Sequence, residues 1–331
     1  MTDERPNGAA HALEMAATAA RYAPSVHNTQ PWRWVVRPQI LELYAERDRQ
    51  LRAVDPDGHL LLLSCGAALH HARVALDAEG WRHEIERSPA ATAESSGDPV
   101  ARIRATGHVP TDPEAMRHFQ ATLFRRTDRR AVGDEPVPPA ALEALIGALR
   151  AQGARLQLLR REQVVELAVT VERAQAAEAG DERQRHELAA WVGGARLDGA
   201  GIPDSAIPAE PPEATVAERD FGQPGTLPAG TGHDTAATYA VLWGDGDEPI
   251  DWLRAGEGLS AAWLNATEHG LTIMPLSAPI EVAASRQALR RLLGGVGYPY
   301  LALRIGVTDP EHSGPPHTPR LPAEQVIEFA D

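Results

Sequence analysis

Two long apolar segments of similar length constrain the fold of this chain more than any other feature. They read "HLLLLSCGAALHHARVALDAEG" and "IDWLRAGEGLSAAWLNATEHG". Each predicts a buried helix of about twenty residues, because its apolar residues recur at helical spacing over that length. Shorter segments typical of strands precede and follow both, so an order of helix, strands, long helix and strands occurs twice. This repetition favours an internal duplication, in which one chain folds as two similar halves.

The fold class expected from this order is α+β, with two fused halves that each carry a mixed, mostly antiparallel sheet flanked by helices. We place the first half at 1–112 and the second at 113–331. A stretch at 193–234 is rich in Gly and Pro and too long for an ordinary connection, which is typical of a lid or a disordered insert. Sites of a duplicated chain are expected between its halves, as at the interface of a symmetric dimer.

Smaller elements are predicted from local pattern. A first helix at 8–22 is expected to end before Pro24, and "WRWVV" and "ILELYAE" are expected to form strands. The segment "GLTIMPLSAP" at 270–279 is interpreted as a loop after the second long helix, and the chain is expected to close with a Pro-rich tail. Two neighbouring histidines, His70 and His71, are expected to point to different sides of their helix, with no metal site.

Charge and cysteine content exclude several classes of function. The formal charge is −14, from 32 basic and 46 acidic residues, so the field of the whole protein repels nucleic acids and anionic membranes. Every basic residue is Arg, which excludes a lysine Schiff base and a P-loop lysine. Cys65 is the only cysteine, so an internal disulfide is impossible. With no leader or membrane-spanning pattern, we expect a cytoplasmic protein.

The most specific polar segment is "PSVHNTQPW", which directly follows the first helix. Two prolines stiffen it, so that Ser25, Asn28 and Gln30 hold their donors and acceptors in fixed directions. A capped helix end followed by an aromatic strand is the alternative interpretation. That alternative explains Ser25 or Asn28, but it does not require all three side chains.

A second polar segment, "RRTDRR" at 125–130, gathers four arginines around a threonine and an aspartate. A guanidinium fork binds phosphate through two hydrogen bonds, and a neighbouring hydroxyl or backbone N–H completes the contact. A solvated basic loop or a salt-bridged corner remains the alternative. Arg320, isolated between prolines in "TPRLPAEQV", is another rigidly held cation.

Taken together and in this spacing, these segments resemble the FMN-dependent nitroreductase superfamily, and within it the Acg-like branch. The family patterns "PSxxNxQPW" and "RRSxR" match residues 24–32 and 125–129, with Thr127 in place of the serine. The resemblance covers nearly the whole chain and implies a nitroreductase-like fold. Each motif occurs once, which implies a single-chain pseudo-dimer, monomeric or weakly dimeric, with one FMN site between its halves.

The resemblance also implies which residues hold the cofactor. The phosphate and ribityl end of FMN is assigned to the "RRTDR" motif and the tail arginine, and the ribityl chain and ring to the first-half motif. The backbone at 275–277 is expected to approach the ring near its reactive nitrogen. The implied cofactor-binding residues are Ser25, Asn28, Gln30, Pro31, Trp32, Arg33, Arg125, Arg126, Thr127, Arg129, Pro275, Leu276, Ser277 and Arg320.

The function implied is an oxidoreductase that passes electrons from NAD(P)H through FMN to a small electron-poor molecule such as a nitroaromatic or a quinone. No side chain is expected to be catalytic, because the flavin carries the chemistry. An FMN-sequestering or storage protein, with the flavin covered by the insert at 193–234, is the alternative. A dehydrogenase dedicated to one metabolite is a third possibility within the fold, and a purely structural role is the remaining class.

Overall fold

The computed structural model of the chain describes residues 6–88, 97–230, 232–308 and 314–330. The two long apolar segments form helices α2 (His59–Ala78) and α7 (Pro249–Glu268), as predicted. They make the most extensive contact between any two elements in these ranges. Nearly every face of α2 is buried, which explains why its apolar residues do not keep to one stripe.

The first sheet has five strands in the order β3-β4-β2-β1-β9. Neighbouring strands are antiparallel except β1 and β9, which run parallel with Val35 opposite Glu328. β9 comes from the end of the chain, so the second half of the sequence completes the sheet of the first. The strands are β1 (Trp32–Val36), β2 (Ile40–Ala45), β3 (Trp81–Arg87), β4 (Ala101–His108) and β9 (Ile327–Phe329).

The second sheet has four strands in the order β5-β6-β8-β7. All of its neighbours are antiparallel, so the expected mixed sheet is found only in the first half. Ignoring β9, the two sheets have the same order when each half is numbered from its own first strand. The strands are β5 (Arg155–Leu158), β6 (Thr238–Gly244), β7 (Leu271–Leu276) and β8 (Tyr298–Val307). The α+β class is confirmed, whereas the duplication and the division at residue 112 stay predictions.

The remaining helices flank these sheets and connect them. α3, for example, has a proline in its first turn, and Asp112 accepts a hydrogen bond from the backbone N–H of Glu114. They are α1 (Pro6–Ala20), α3 (Pro113–Phe124), α4 (Pro139–Ala151), α5 (Arg161–Gly180), α6 (Glu182–Trp191), α8 (Ala278–Glu281) and α9 (Ala283–Leu292).

Close approach of α2 and α7 depends on two glycines at their crossing. A side chain at Gly66 would collide with the carbonyl oxygen of Leu253, and one at Gly256 would collide with that of Leu63. Each helix therefore presents a glycine to the same backbone position of the other. Only glycine permits this separation, because a Cβ on either helix would overlap main-chain atoms that cannot move away.

The histidine pair beside this crossing corrects one expectation. His70 and His71 do not diverge, because the Nδ1 atoms of both rings lie 2.9 Å from the hydroxyl of Ser260 on α7. Burial lowers the pKa of both imidazoles well below the usual value. The two rings are therefore neutral core groups that join α2 to α7.

One further expectation is wrong, and one is incomplete. "GLTIMPLSAP" is not a loop, since Leu271–Leu276 form β7 and α8 begins at Ala278. Pro275 argues against a strand in the sequence. β7 is an edge strand, however, and proline is tolerated there because one side of the strand makes no ladder hydrogen bonds. The Pro-rich tail also ends in a strand, β9, whose three residues are too few to produce a sequence signal.

Within the part that the structure describes, the insert at 193–234 consists of turns and irregular segments with one short 3₁₀ helix, Asp204–Ala206. Two parallel bridges hold it, between Val192 and Ile202 and between Pro208 and Leu227. A small apolar cluster of its own includes Ile202, Ala206 and Ile207. These contacts hold the described part of the insert in a defined position. One side of it lines the cavity described next.

Candidate functional site

The main cavity lies where residues from both halves of the sequence converge. Its space, including the mouth, is about 1090 Å³. Its walls come from the segment after α1, from the "RRTDR" segment, from the β7–α8 junction, from the tail and from the insert.

The first wall is residues 24–28, in which the backbone is strained. His27 and Asn28 have φ values of 44° and 55°, and Gln30 follows at 49°. Left-handed backbone costs a non-glycine residue about 1–3 kcal/mol, so tertiary contacts must hold it. Ser25 supplies one of them, since its hydroxyl accepts a 2.9 Å hydrogen bond from the N–H of Gln30.

Asn28 and Gln30 use their amide groups to fasten the other walls. The Asn28 amide nitrogen donates to the carbonyl oxygens of Gly201 at 2.9 Å and Pro319 at 3.0 Å. The Gln30 amide nitrogen donates to the carbonyl of Gly199 at 2.8 Å, and its oxygen accepts from the N–H of Leu321 at 3.0 Å. The rigid polar side chains of the motif therefore tie the insert and the tail to the first half.

The second wall is cationic. Arg125 is buried and Arg320 half-buried, and neither has a carboxylate partner in the described part of the chain. Arg125 Nε and Nη1 and Arg320 Nε are enclosed atoms with no hydrogen-bond acceptor among those residues. Burial lowers the pKa of Arg125 to about 9, with a further contribution from Arg320, and it lowers the pKa of Arg320 to about 10. Both side chains stay charged at pH 7.

Aromatic and neutral groups complete the cationic wall. The Arg125 guanidinium lies 4.6 Å from the ring centroid of Trp263 on α7, and Arg129 lies 5.5 Å from that of Phe221. Arg129 also donates to the carbonyl of Ala206 at 3.1 Å. The enclosed donors left over on Arg125 and Arg320 can bind an anionic group through its oxygens.

The insert contributes a third wall that the sequence did not predict residue by residue. Glu218, Arg219 and Phe221 line the cavity from it. Glu218 forms a 2.9 Å ion pair with Arg304 of β8, and burial raises the pKa of its carboxyl to about 7. The segment "ERDF" is a charged and aromatic group inside a stretch of small residues, which is the signal that could have identified it.

His27 is a second lining residue outside the predicted set. Its ring lies edge-on to Phe221 with centroids 6.5 Å apart, and its enclosed Nε2 has no partner among the described residues. Burial lowers the pKa of His27 to about 3, with Arg219 adding to the effect. The imidazole is therefore neutral at pH 7 and able to donate from one nitrogen and accept at the other.

The structure brings most of the predicted site residues to the cavity and leaves some behind its walls. Among the described residues, the predicted members that line it are Ser25, Asn28, Arg125, Thr127, Arg129, Pro275, Leu276, Ser277 and Arg320. The predicted members outside the lining are Gln30, Pro31, Trp32, Arg33 and Arg126. Trp32 is fully buried, and Arg126 donates instead to His317 at 3.1 Å.

The helices give no sign of a membrane-spanning segment. None that the structure describes combines the length and the apolarity that a bilayer crossing requires.

Sequence comparison identifies relatives over nearly the full chain. A Mycobacterium tuberculosis (strain H37Rv) protein named "Putative NAD(P)H nitroreductase Rv3131" is 37% identical, covering 97% of this chain and 92% of its own. Another from the same strain, "Putative NAD(P)H nitroreductase acg", is 32% identical over 95% of each chain. No family model matches the chain.

Solved structures give a weaker likeness. The FMN- and NADPH-dependent nitroreductase NfnB from sphigopyxis sp. strain HMH has a TM-score of 0.40 and 20% identity, covering 65% of this chain and 99% of its own. A nitroreductase with bound FMN from Desulfitobacterium hafniense DCB-2 has a TM-score of 0.39 and 14% identity, with coverages of 65% and 98%. Family membership therefore rests on the sequence relatives.

Proposed function

The chain belongs to the NAD(P)H nitroreductase family, and on that premise we propose that it binds one FMN in the main cavity and passes electrons from NAD(P)H to a small electron-poor acceptor. The acceptor class that we propose is a nitroaromatic or a quinone. When bound, FMN supplies the hydride chemistry. The protein therefore has to bind and orient FMN and the substrates and to exclude water.

The observation that carries this proposal is the pair Arg125 and Arg320. Each is a charged side chain with an enclosed donor and no carboxylate partner in the described part of the chain. Burying an uncompensated charge is costly, so such a pair is stable in a folded protein when a ligand brings the missing negative charge. A phosphate fits, because guanidinium groups bind its oxygens through parallel hydrogen bonds.

The other lining residues suit the rest of the cofactor. Thr127 and Arg129 lie in the same wall as Arg125 and extend the polar end of the cavity. The β7–α8 junction at 275–277 also lines the cavity. We therefore assign the phosphate end to the arginines and the ring end to this junction.

We also propose that one chain is a pseudo-dimer with a single site. Arg125 follows α3, Ser25 follows α1, and Arg320 comes from the tail, so residues from 1–112 and from 113–331 line the same cavity. The repeated strand order supports a duplication of the two halves. On this proposal the protein needs no second subunit to bind FMN, although a weak homodimer remains compatible with it.

The direct test is spectroscopic. The purified protein should be yellow, and NADPH added without oxygen should bleach the flavin band, with colour restored by a quinone. A colourless protein that does not take up FMN would contradict the binding proposal. A yellow protein that stays yellow in NADPH and NADH would instead support FMN storage under the insert.

The phosphate assignment is tested separately. Arg320→Ala and Arg129→Ala should each weaken FMN binding by roughly tenfold to a hundredfold, because a hydrogen bond to a charged group contributes about 1.5–3 kcal/mol. The matched control is Arg117→Ala, which removes an exposed arginine from α3. FMN titration of the apoproteins measures the effect, and equal affinities in all four proteins would contradict the assignment.

A further inference from the structure

A second cavity adjoins the main cavity, and the FMN site proposed above does not use it. Its space, open side included, is about 1010 Å³, and the end of α5, α6 and residues 219–223 of the insert line most of it. Gln175, Arg219 and Phe221 line both cavities, so the two spaces share a wall. An extended ligand with one end in the main cavity therefore has a second space beside it for its other end.

The shared wall is held by ion pairs and by an aromatic contact. Arg219 pairs with Glu178 of α5 at 2.9 Å and with Glu281 of α8 at 2.7 Å, and the three side chains are at most 10% exposed. The guanidinium of Arg129 lies 5.5 Å from the ring centroid of Phe221. The charge of Arg219 is therefore used inside the protein, and a negatively charged ligand in the second cavity needs another cation.

Three glutamine side chains that line the second cavity have unused amide oxygens. They belong to Gln175, Gln184 and Gln223, and none of these oxygens accepts a hydrogen bond within the described ranges. The amide nitrogens of Gln175 and Gln184 donate to backbone carbonyls, whereas the amide of Gln223 makes no hydrogen bond to a described residue. A free amide matches the edge of adenine, because its oxygen accepts from the 6-amino group while its nitrogen donates to N7.

The rim of the second cavity carries an unpaired cation, Arg185 of α6. Its side chain is exposed, and its guanidinium has no hydrogen-bond or ion-pair partner in the part of the chain that the structure describes. Apart from the Arg219–Glu178 pair, the other charged group of this lining is Asp220, which is exposed and accepts a 2.8 Å hydrogen bond from the N–H of Gly222. A guanidinium with all its donors free binds a phosphate through two parallel hydrogen bonds.

These groups together suit a phosphorylated adenosine. The amides match the base, the ring of Phe221 offers a surface for stacking, and Arg185 matches a phosphate. A quinone or a nitroaromatic would use neither the adenine-type pattern of the amides nor the cation. Among the reactants of the proposed reaction, NAD(P)H is the one that carries an adenosine at the end remote from its reacting ring.

We propose that the second cavity binds the adenosine end of NADPH, with Arg185 on the 2′-phosphate, while the nicotinamide end lies in the main cavity. This inference rests on the proposed function, since NAD(P)H is the electron donor there. Arg219 is already paired with two carboxyl groups, so Arg185 is the cation that this lining offers to the ligand. NADH has a hydroxyl in place of the 2′-phosphate, and NADPH is therefore the preferred donor.

The first experiment measures binding of the adenosine end without any turnover. Adenosine 2′,5′-bisphosphate, titrated calorimetrically into the full chain with and without FMN, should bind more tightly than adenosine 5′-monophosphate. Arg185→Gln should weaken binding of the bisphosphate about tenfold, the lower end of the range for a hydrogen bond to a charged group, because the rim is open to solvent. Binding of the monophosphate should change little in the same variant.

Two further variants control this titration. Arg183→Gln removes an exposed arginine of the same helix that does not line the cavity, and it should leave both affinities unchanged. Gln223→Ala should weaken both ligands alike, because both carry the adenine. Absence of bisphosphate binding from the wild type, or equal affinities in Arg185→Gln and Arg183→Gln, would overturn the proposal. The titration does not require bound FMN, so failure of FMN binding and failure of this site are distinguishable.

The second experiment measures donor preference in FMN-loaded protein. KM should be lower for NADPH than for NADH, and the bisphosphate should compete with NADPH. Arg185→Gln should raise KM for NADPH about tenfold with little change in kcat, and it should leave KM for NADH unchanged. An equal loss with both donors would refute the assignment of Arg185. A lower KM for NADH that rises in Asp220→Asn would also refute it, since a carboxylate would then be selecting the free 2′-hydroxyl.

Discussion

Buried and half-buried arginines at the two ends of the α2–α7 pair differ in whether they have a carboxylate partner. At the main cavity, Arg125 and Arg320 have no carboxylate partner among the described residues. At the other end, Arg73 and Arg87 both bind Glu257 of α7, with N–O distances of 2.7 Å. One end therefore lacks a counter-charge that the other end contains.

On the proposed duplication, these two ends occupy related positions in the two halves. His70 meets Ser260 across the helix crossing, and the two are 190 residues apart. By the same offset, the cavity-lining Trp263 and Ser277 correspond to Arg73 and Arg87. The first half therefore has two arginines at the positions where the second half has residues that line the cavity. Glu257 binds both of these arginines.

The connection that precedes the first strand of each sheet is also different in length. Between α1 and β1, residues 21–31 form the strained segment that lines the main cavity. Between α4 and β5, only residues 152–154 intervene, and the side chain of Gln152 accepts a 2.8 Å hydrogen bond from Arg73. On the proposed duplication, one scaffold carries a loop and arginines without carboxylate partners beside the main cavity, and an internal ion cluster around Glu257 at the other end.

The largest expected effect is at the end where Glu257 binds Arg73 and Arg87. Glu257→Ala should lower the free energy of unfolding by about 3–5 kcal/mol, because it leaves Arg73 and Arg87 without their buried counter-charge. Urea or thermal unfolding measures the loss. FMN affinity, measured below the melting temperature, should stay within about twofold. A large loss of FMN affinity in a folded variant would show that the two ends are not independent.

A smaller, pH-dependent effect on the free energy of unfolding is expected from Glu218, which lines the main cavity. Burial raises the pKa of Glu218 from 4.5 to about 7, so the folded protein binds a proton there that the unfolded chain has released. The free energy of unfolding of the wild type should therefore fall, relative to Glu218→Gln, as pH rises from about 4.5 to 7, by up to about 3 kcal/mol. Urea titrations at pH 5, 6 and 7.5 test this. Parallel curves for the two proteins would contradict the shift.

The smallest expected effect compares one arginine of each pair, Arg125 and Arg73. Their replacement should change the stability of the apoprotein in different ways. Arg125→Met should weaken FMN binding by about 2 kcal/mol, close to thirtyfold in Kd, yet it should not destabilise the apoprotein, since it removes an unpaired buried charge. Arg73→Met should destabilise the apoprotein and leave FMN binding unchanged. Calorimetry with and without FMN gives both quantities. Equal destabilisation of both apoproteins would remove the distinction.

Much of the fold and part of the site were predictable because they depend on local pattern. The long helices α2 and α7 follow from their apolar length, and strands such as Trp32–Val36 and Trp81–Arg87 from their composition. β7 was not predictable, because Pro275 opposes a strand and only its edge position permits one. β9 depends on a parallel pairing with β1, made by residues nearly three hundred positions apart.

The sequence by itself determined the family, through full-length similarity, and it supplied the arginine-rich and rigid polar motifs on which the proposed site depends. Only the tertiary structure decided which of those residues face the cavity. Asn28 lines it while also fastening the insert and the tail, and Gln30 lies behind its wall. The sharing of Arg219 between Glu178 and Glu281 was also invisible in the sequence. A motif specifies donors and charges, but whether a charge meets a ligand or an internal partner depends on segments far apart in sequence.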